Sequence, residues 1–287
     1  MPDGFPRRRD LAELVRAPAA LSVPGDAIAG AAATGTLSAR TAGLAAASVC
    51  LYWAGMAAND WADRDLDAVE RPERPIPSGR VTPGQALTVA TGLTAAGVGI
   101  AALAGGRRAA AVAVPLAGAV WTYDLWAKNT AAGPAVMAAC RALDVLLGAS
   151  AGHLRAALPA AATMAAHTAT VTALSRHEVS GGSPRLPTAT LAATTALAAT
   201  VPRRPVSTAA TSGALAAWYA AWFGAAQARA AADPSANRIR AAVGAGITGM
   251  APLQGALTAR AGHPLAGIAV AAAAPIARLL TRKVPAT

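Results

Sequence analysis

Residues 39–80 read ARTAGLAAASVCLYWAGMAANDWADRDLDAVERPERPIPSGR. The first half, 39–59, matches the roughly 20 apolar residues that a helix needs to cross a bilayer core. The second half turns acidic and then basic. Outward from this stretch, apolar runs separated by short polar joints recur along the chain. They lie near 17–37, 83–104, 108–126, 131–152, 156–175, 186–202, 207–229, 237–257 and 262–281. With 39–59 they make nine or ten spans, because 186–202 is short and contains Pro187 and Pro202. The joints leave no room for a soluble domain. Residues 1–287 are therefore expected to form one all-α, polytopic transmembrane helical bundle, headed by a basic segment, 1–16.

Composition agrees. Of 287 residues, 54% are hydrophobic and only 14% are charged, against roughly 25% charged in a typical soluble domain. This excludes disorder, a disulfide scaffold and a collagen-like chain. Ala and Gly make up much of the apolar content, which softens span boundaries but lets helix backbones approach closely. Cys50 and Cys140 lie far apart in apolar stretches, with no metal-ligand or redox spacing. The start, MPDGFPRRRDLAELVRA, is too polar for a cleavable signal peptide.

The net charge of +11 would suggest nucleic acid, but its placement argues otherwise. With ten spans and a cytoplasmic N-terminus, 17 of the 25 Lys and Arg fall on the cytoplasmic side. Seven fall opposite: Arg40, Arg107, Arg108, Arg155, Arg203, Arg204 and Arg260. Arg141 lies within a span. The bias follows the positive-inside rule, predicts a multi-pass protein of the cell membrane with a cytoplasmic N-terminus, and calls for no nucleic acid.

The acids are more telling. Six of the fourteen fall between Asp60 and Glu73. On a continuing helix at about 100° per residue, Asn59, Asp60, Asp63 and Asp67 share one face about 100° wide, while Asp65 points elsewhere. Carboxylates so crowded need a counter-charge. Mg²⁺ takes oxygen ligands and usually bridges one or two carboxylates to substrate phosphates. Arg71, Arg74 and Arg80 follow, and guanidinium forks suit phosphate oxygens. The pattern reads as a Mg²⁺–diphosphate site at a membrane face, or as a solvated charged loop.

Asn59-Asp60-Trp61-Ala62-Asp63 with Asp67 resembles the NDxxDxxxD signature of the UbiA superfamily of intramembrane prenyltransferases, and RPERPIPSGR resembles the RPxxSG segment that follows it. The position after the second span fits too. The resemblance implies a helical bundle whose cavity takes an isoprenyl diphosphate, with Mg²⁺ held by Asn59, Asp60, Asp63 and Asp67. A second stretch, WTYDLWAKNTAAGPAVMAACRALDVLLG, is similar to the EboC-type branch of that superfamily. There Lys128 would bind diphosphate, and Tyr123 would line the reacting end of the prenyl chain, its π face favouring an allylic cation. Asp124 accompanies them.

Ionisable residues inside a membrane usually pair or face a cavity. Arg141 and Asp144, one turn apart, fit either a structural pair or substrate recognition, as does Asp26. Arg16 resembles the family's early Arg near the substrate, or is an anchor.

The second acidic motif of most family members, DxxxD, is degenerate. Its loop reads TALSRHEVSGGSPRLP, with Glu178 the single acid. SRxEVxGG again resembles the EboC-type branch. A second Mg²⁺ is thereby put in doubt. Arg176 would instead neutralise the diphosphate, and Glu178 would hold a metal or act as a base. His153, His167 and His263 read as structural, and the Trp and Tyr near span ends as an interfacial belt, with Trp61 and Trp121 as further prenyl contacts.

The leading expectation is Mg²⁺-dependent prenyl transfer from an isoprenyl diphosphate to a small acceptor within the bilayer, with Asp60, Asp63, Asp67, Tyr123 and Glu178 as catalytic candidates. A terpene cyclase on the same scaffold is the alternative. A transporter or scaffold leaves the acidic face unexplained.

Overall fold

The computed structural model describes residues 6–201 and 206–275. Arg203, Arg204, Arg278, Arg282 and Lys283, which entered the charge bias, lie outside them, as does the end of the tenth run. Among the described residues there is no strand. The helices are α1 (Arg8–Leu14), α2 (Pro24–Ala33), α3 (Ala39–Ala62), α4 (Arg64–Glu70), α5 (Pro83–Leu125) and α6 (Gly133–Gly148). They continue as α7 (Leu154–Ser175), α8 (Arg185–Thr200), α9 (Val206–Ala232), α10 (Ala236–Arg260) and α11 (Pro264–Ala271).

α5 has 43 residues, about 65 Å if straight and twice the ~30 Å of a bilayer core. It is not straight. Gly106 takes φ 69° and ψ −161°, and helical geometry breaks there. Glycine is suited to this point because an L side chain is strained at such a φ. The limbs fold back on each other: the Trp121 indole N–H donates to Thr94 Oγ1 at 3.0 Å, 27 residues away in sequence. The runs 83–104 and 108–126 are these two limbs. Each of the other runs likewise carries a helix.

Among the described residues, three helical segments are both long and apolar enough to cross a membrane: Ala39–Ala62, Pro83–Leu125 and Gly133–Ala151. α7, α9 and α10 have 22, 27 and 25 residues but fall short of the same apolar standard. Ala, Gly and Thr fill places that Leu or Val would take.

Two packed groups form the core. One joins α3, both limbs of α5 and α6, around Leu44, Leu51, Val112 and Leu147. The other joins α7, α9 and α10, around Met164, Tyr219, Phe223 and Leu253. The His167 ring stands edge-on to both Tyr219 and Phe223, and its Nδ1 lies 3.0 Å from the Tyr219 hydroxyl. α2 connects the groups. A Cβ on Gly30 would overlap the Val145 carbonyl, and one on Gly148 would overlap the Ala27 carbonyl. These reciprocal close approaches seat α2 on α6 and set Asp26 beside Arg141 and Asp144.

A third cluster closes one end. Leu14 of α1 packs with Ala57 and Ala58 of α3, Ile76 and Val81 of the following loop, and Ala86 and Ala90 of α5. The N-terminal segment, the end of α3 and the start of α5 thus meet at the acidic cluster.

Candidate functional site

α3 ends at Ala62, and α4 begins at Arg64. The helical hydrogen bonds run on through the joint: Asp63 N–H to the Asn59 carbonyl at 2.9 Å, and Asp67 N–H to the Asp63 carbonyl at 2.8 Å. The backbone of Asp63 departs from helical geometry, at φ −91° and ψ 5°. The acids do not form the single shared face that an unbroken helix would give. Asp60 and Asp67 converge, and Asp63 is drawn to another partner.

The convergence is on Arg74, 11% exposed. Its Nη1 lies 2.6 Å from Asp67 Oδ2 and 3.4 Å from Asp60 Oδ1. The loop bends to allow this, with the Ser78 hydroxyl donating to the Arg74 carbonyl at 2.6 Å. Arg16 reaches Asp60 Oδ1 from the other side at 2.8 Å and sets its second nitrogen 3.5 Å from Met56 Sδ. Arg16 is the one described non-glycine residue with positive φ (48°), a conformation uncommon for such residues and held here by its side-chain contacts. Arg71 lies 3.6 Å from Asp67 and is half-exposed. Asp63 pairs with Lys128 Nζ at 2.7 Å, and the Asn59 amide donates to Asp124 Oδ1 at 3.3 Å. Lys128 sits on a single 3₁₀ turn, Ala127–Asn129, between α5 and α6.

Arg80 is elsewhere. It holds α1, through Asp10 at 2.8 Å and both carboxylate oxygens of Glu13 at 2.7 and 2.8 Å. These bonds keep the Glu13 carboxyl below its ordinary range and raise the Arg80 guanidinium above its own. Arg80 was expected on diphosphate; here its charge is spent on two carboxylates of α1. The loop after α7 reaches the turn that follows Lys128. Arg176 is exposed and donates to the Thr130 carbonyl at 2.5 Å, and the Glu178 carbonyl accepts from Arg240 at 3.2 Å.

Inward from the cluster lies a cavity. α3 lines it with Ser48, Leu51, Tyr52, Gly55 and Met56, on the face that continues to Asn59 and Asp60. The second limb of α5 supplies Leu116, Val120, Tyr123 and Asp124, and α6 supplies Met137, Cys140, Arg141 and Asp144. The walls are largely apolar; the far end is not. There Arg141 pairs with Asp26 at 2.5 Å and lies 3.9 Å from Asp144. The Ser48 hydroxyl donates to Asp144. Gln254 donates to Asp26 and to the Ser22 carbonyl, each at 2.9 Å. Arg141 therefore bridges helices rather than pairing only within its own turn. Trp61 and Trp121 do not line this cavity. Trp61 lies under the Arg64 guanidinium at 5.1 Å.

Ser48, Tyr52, Met56, Met137 and Cys140 were not among the expected site residues. The signal for the first three was present: they step by four along α3 into Asp60.

Among the described residues no three His, Cys, Asp or Glu side chains gather closely enough to hold a metal by themselves. The donor set is still of the kind Mg²⁺ takes. It is all oxygen, and two of its carboxylates already meet at one cationic point. That fits a metal held by one or two carboxylates and completed by phosphate oxygens, and not a closed protein cage.

Comparisons with known proteins bear on the chain as a whole. The sequence profile of the UbiA prenyltransferase family matches residues 21–238. A digeranylgeranylglyceryl phosphate synthase of Natronomonas pharaonis is 36% identical over 168 residues, 55% of this chain and 61% of that protein. One from Methanopyrus kandleri is 49% identical over 79 residues, 28% of each chain. The chloroplastic chlorophyll synthase of Oryza sativa is 37% identical over 83 residues, 26% of this chain and 22% of that protein. The matches thus span between about a fifth and three fifths of these relatives' lengths. Among solved structures, a digeranylgeranylglyceryl phosphate synthase superposes with a TM-score of 0.66 at 16% identity, covering 88% of this chain and 98% of that one. A UbiA homologue from Aeropyrum pernix superposes with a TM-score of 0.63 at 21% identity, covering 88% and 97%. At these identities the likeness establishes the fold.

Proposed function

Since the chain belongs to the UbiA prenyltransferase family, we propose that it transfers a prenyl group from an isoprenyl diphosphate to a small acceptor inside the membrane. One observation carries this reading. Asp60, Asp63 and Asp67, with their cationic partners Arg16, Arg74 and Lys128, stand at the mouth of an apolar cavity whose far end is polar.

Asp60 and Asp67 would hold Mg²⁺, with Asp63 and Asn59 beside them. The ion would offset negative charge on the departing diphosphate. Arg74, Lys128 and Arg16 are bound to carboxylates in the structure described. With those carboxylates serving as ligands, the same three side chains would turn to phosphate oxygens. Arg71 stands at the rim, and Arg176 and Glu178 extend the site from the loop after α7. Tyr123 lines the cavity next to Asp124, where its ring would face the allylic carbon. The apolar walls keep water from that carbon. An acceptor seated toward Asp144, Ser48 and Arg141 would attack it and release a proton.

The polar far end favours transfer over cyclisation. A polar acceptor has partners there, because Ser48, Arg141 and Asp144 offer hydrogen bonds to its polar groups. The EboC-type resemblance supports a specialised small acceptor. Counted on ten spans, the basic bias supports an N-terminus and a site on the cytoplasmic side.

The test is incubation of membranes containing the protein with isoprenyl diphosphates and Mg²⁺, with and without candidate acceptors, followed by mass spectrometry. Prenylated acceptor is expected, and Asp63→Ala should abolish it. Cyclic hydrocarbon or alcohol formed without acceptor would favour the cyclase. Function that survives loss of Asp60 and Asp63 would favour a transporter or scaffold.

A further inference from the structure

We infer that the protein carries a binding site for an anionic phospholipid, in a groove between α1, α3 and the first limb of α5, outside the cavity described above. The groove encloses about 950 Å³, against about 130 Å³ for the inner cavity. Its walls are Leu11 of α1 and Val15 just after it, Trp53 of α3, and Val89, Gly92 and Leu93 of α5. Trp53 follows Tyr52 by one residue and so leaves α3 about 100° away from it. α3 thus turns one face to the inner cavity and another to the groove, and the groove is not a second entrance for the reacting prenyl carbon.

Three features choose the occupant. The groove runs from Thr82 to Leu93, about 16 Å along the helix, close to half of a bilayer core of about 30 Å. That is the depth of one leaflet, and it suits an acyl chain lying along α5. At the shallow end are Arg7, Arg8 and Arg9, all exposed and without an ion pair to any described residue. Their charge complements a phosphate headgroup. Arg7 and Arg8 lie one helical turn from Leu11 and Ala12, which line the groove, while Arg80 holds Asp10 and Glu13 to the loop before α5. Third, Trp53 walls the groove toward its deep end, where α3 runs beside the stretch 93–97 of α5, and its ring suits an acyl chain.

The groove also touches the site. Val15 and Ala17, both lining it, flank Arg16, which reaches Asp60. A lipid filling it would press α1 against α3 and steady that arginine.

Native mass spectrometry of protein released from vesicles of mixed phosphatidylcholine and phosphatidylglycerol tests this without a known substrate. The expected result is one retained phosphatidylglycerol, held in preference to phosphatidylcholine. Replacing Arg7, Arg8 and Arg9 together by Gln should weaken that retention on the order of a hundredfold. Gly92→Trp should abolish it with no change of charge. A Cβ at Gly92 meets nothing within 4 Å, so this variant keeps the helix and fills the groove. Equal retention of the two lipids by the unaltered protein would overturn the proposal. So would a loss seen only in the arginine variant, which would mark a general attraction to a charged surface.

Discussion

Arg74→Gln tests the candidate metal site without any substrate. Arg74 is 11% exposed and links Asp67, 2% exposed, to Asp60, 4% exposed. Removing one partner of a buried ion pair typically costs about 3–5 kcal/mol. Part of that is retained here. Asp60 keeps Arg16 at 2.8 Å. Asp67 keeps Arg71 at 3.6 Å, a half-exposed pairing worth at most about 1 kcal/mol. The expected loss is therefore about 3 kcal/mol, or roughly 150-fold in the unfolding equilibrium. If Asp60 and Asp67 are where Mg²⁺ sits, the ion should take the place of the lost guanidinium. At a Mg²⁺ concentration about a hundred times its dissociation constant, binding returns about 2.7 kcal/mol. Denaturation in detergent micelles, with and without Mg²⁺, measures both terms. The variant should be markedly weaker in chelator and nearly restored by Mg²⁺, with a larger metal response than the parent protein. Equal stability in chelator, or equal metal responses, would refute the reasoning.

Other perturbations probe separate parts of the account. Gly148→Leu drives a side chain into the Ala27 backbone, so it should part α2 from α6 and cost at least about 3 kcal/mol by the overpacking scale; near-parental stability in the same micelles would remove the close-approach argument. Glu13 has its pKa lowered by Arg80, so its contribution to holding α1 is fully present above its ordinary 4.5 and is lost as pH falls through the lowered value. Amide exchange across residues 8–14, corrected for its intrinsic pH dependence, should therefore rise only at acid pH, and a rise near neutrality would contradict the pairing. Asp144→Asn keeps the shape of the cavity's far end and removes a charge; it should raise KM for the acceptor by about tenfold while leaving that for the prenyl diphosphate within about twofold, as loss of one charged hydrogen bond predicts. The reverse pattern would move the acceptor away from that end.

Much of this was readable from the sequence, for identifiable reasons. Long apolar runs broken by glycine and arginine announce helices whatever the tertiary fold, and the reversal at Gly106 falls between the runs ending at 104 and beginning at 108. The Asp60–Asp67 pairing was visible because two helical turns return a side chain to the same face. Asp63 was harder. Its partner, Lys128, arrives from a turn 65 residues away, and no local spacing records that approach. The partner of Arg80 was hidden for a similar reason. An arginine following a row of acids reads the same whether it meets phosphate or Glu13, and only the packing of Leu14 against α3 brings α1 within reach. The bridge from Arg141 to Asp26 rests on Gly30 and Gly148. As residue types these glycines said only that helices can approach closely; their registry across α2 and α6 is a property of the folded bundle.

The most direct test of the central claim is diphosphate release from an isoprenyl diphosphate by the purified protein in lipid vesicles, followed with product masses, for the parent and for Asp60→Asn and Asp63→Asn. The account predicts release that needs Mg²⁺, ceases with chelator, falls by about a thousandfold or more in either variant, on the scale of losing a group that stabilises transition-state charge, and is matched by prenylated product. Release that persists in the variants, or a protein that leaves every isoprenyl diphosphate intact, would contradict it.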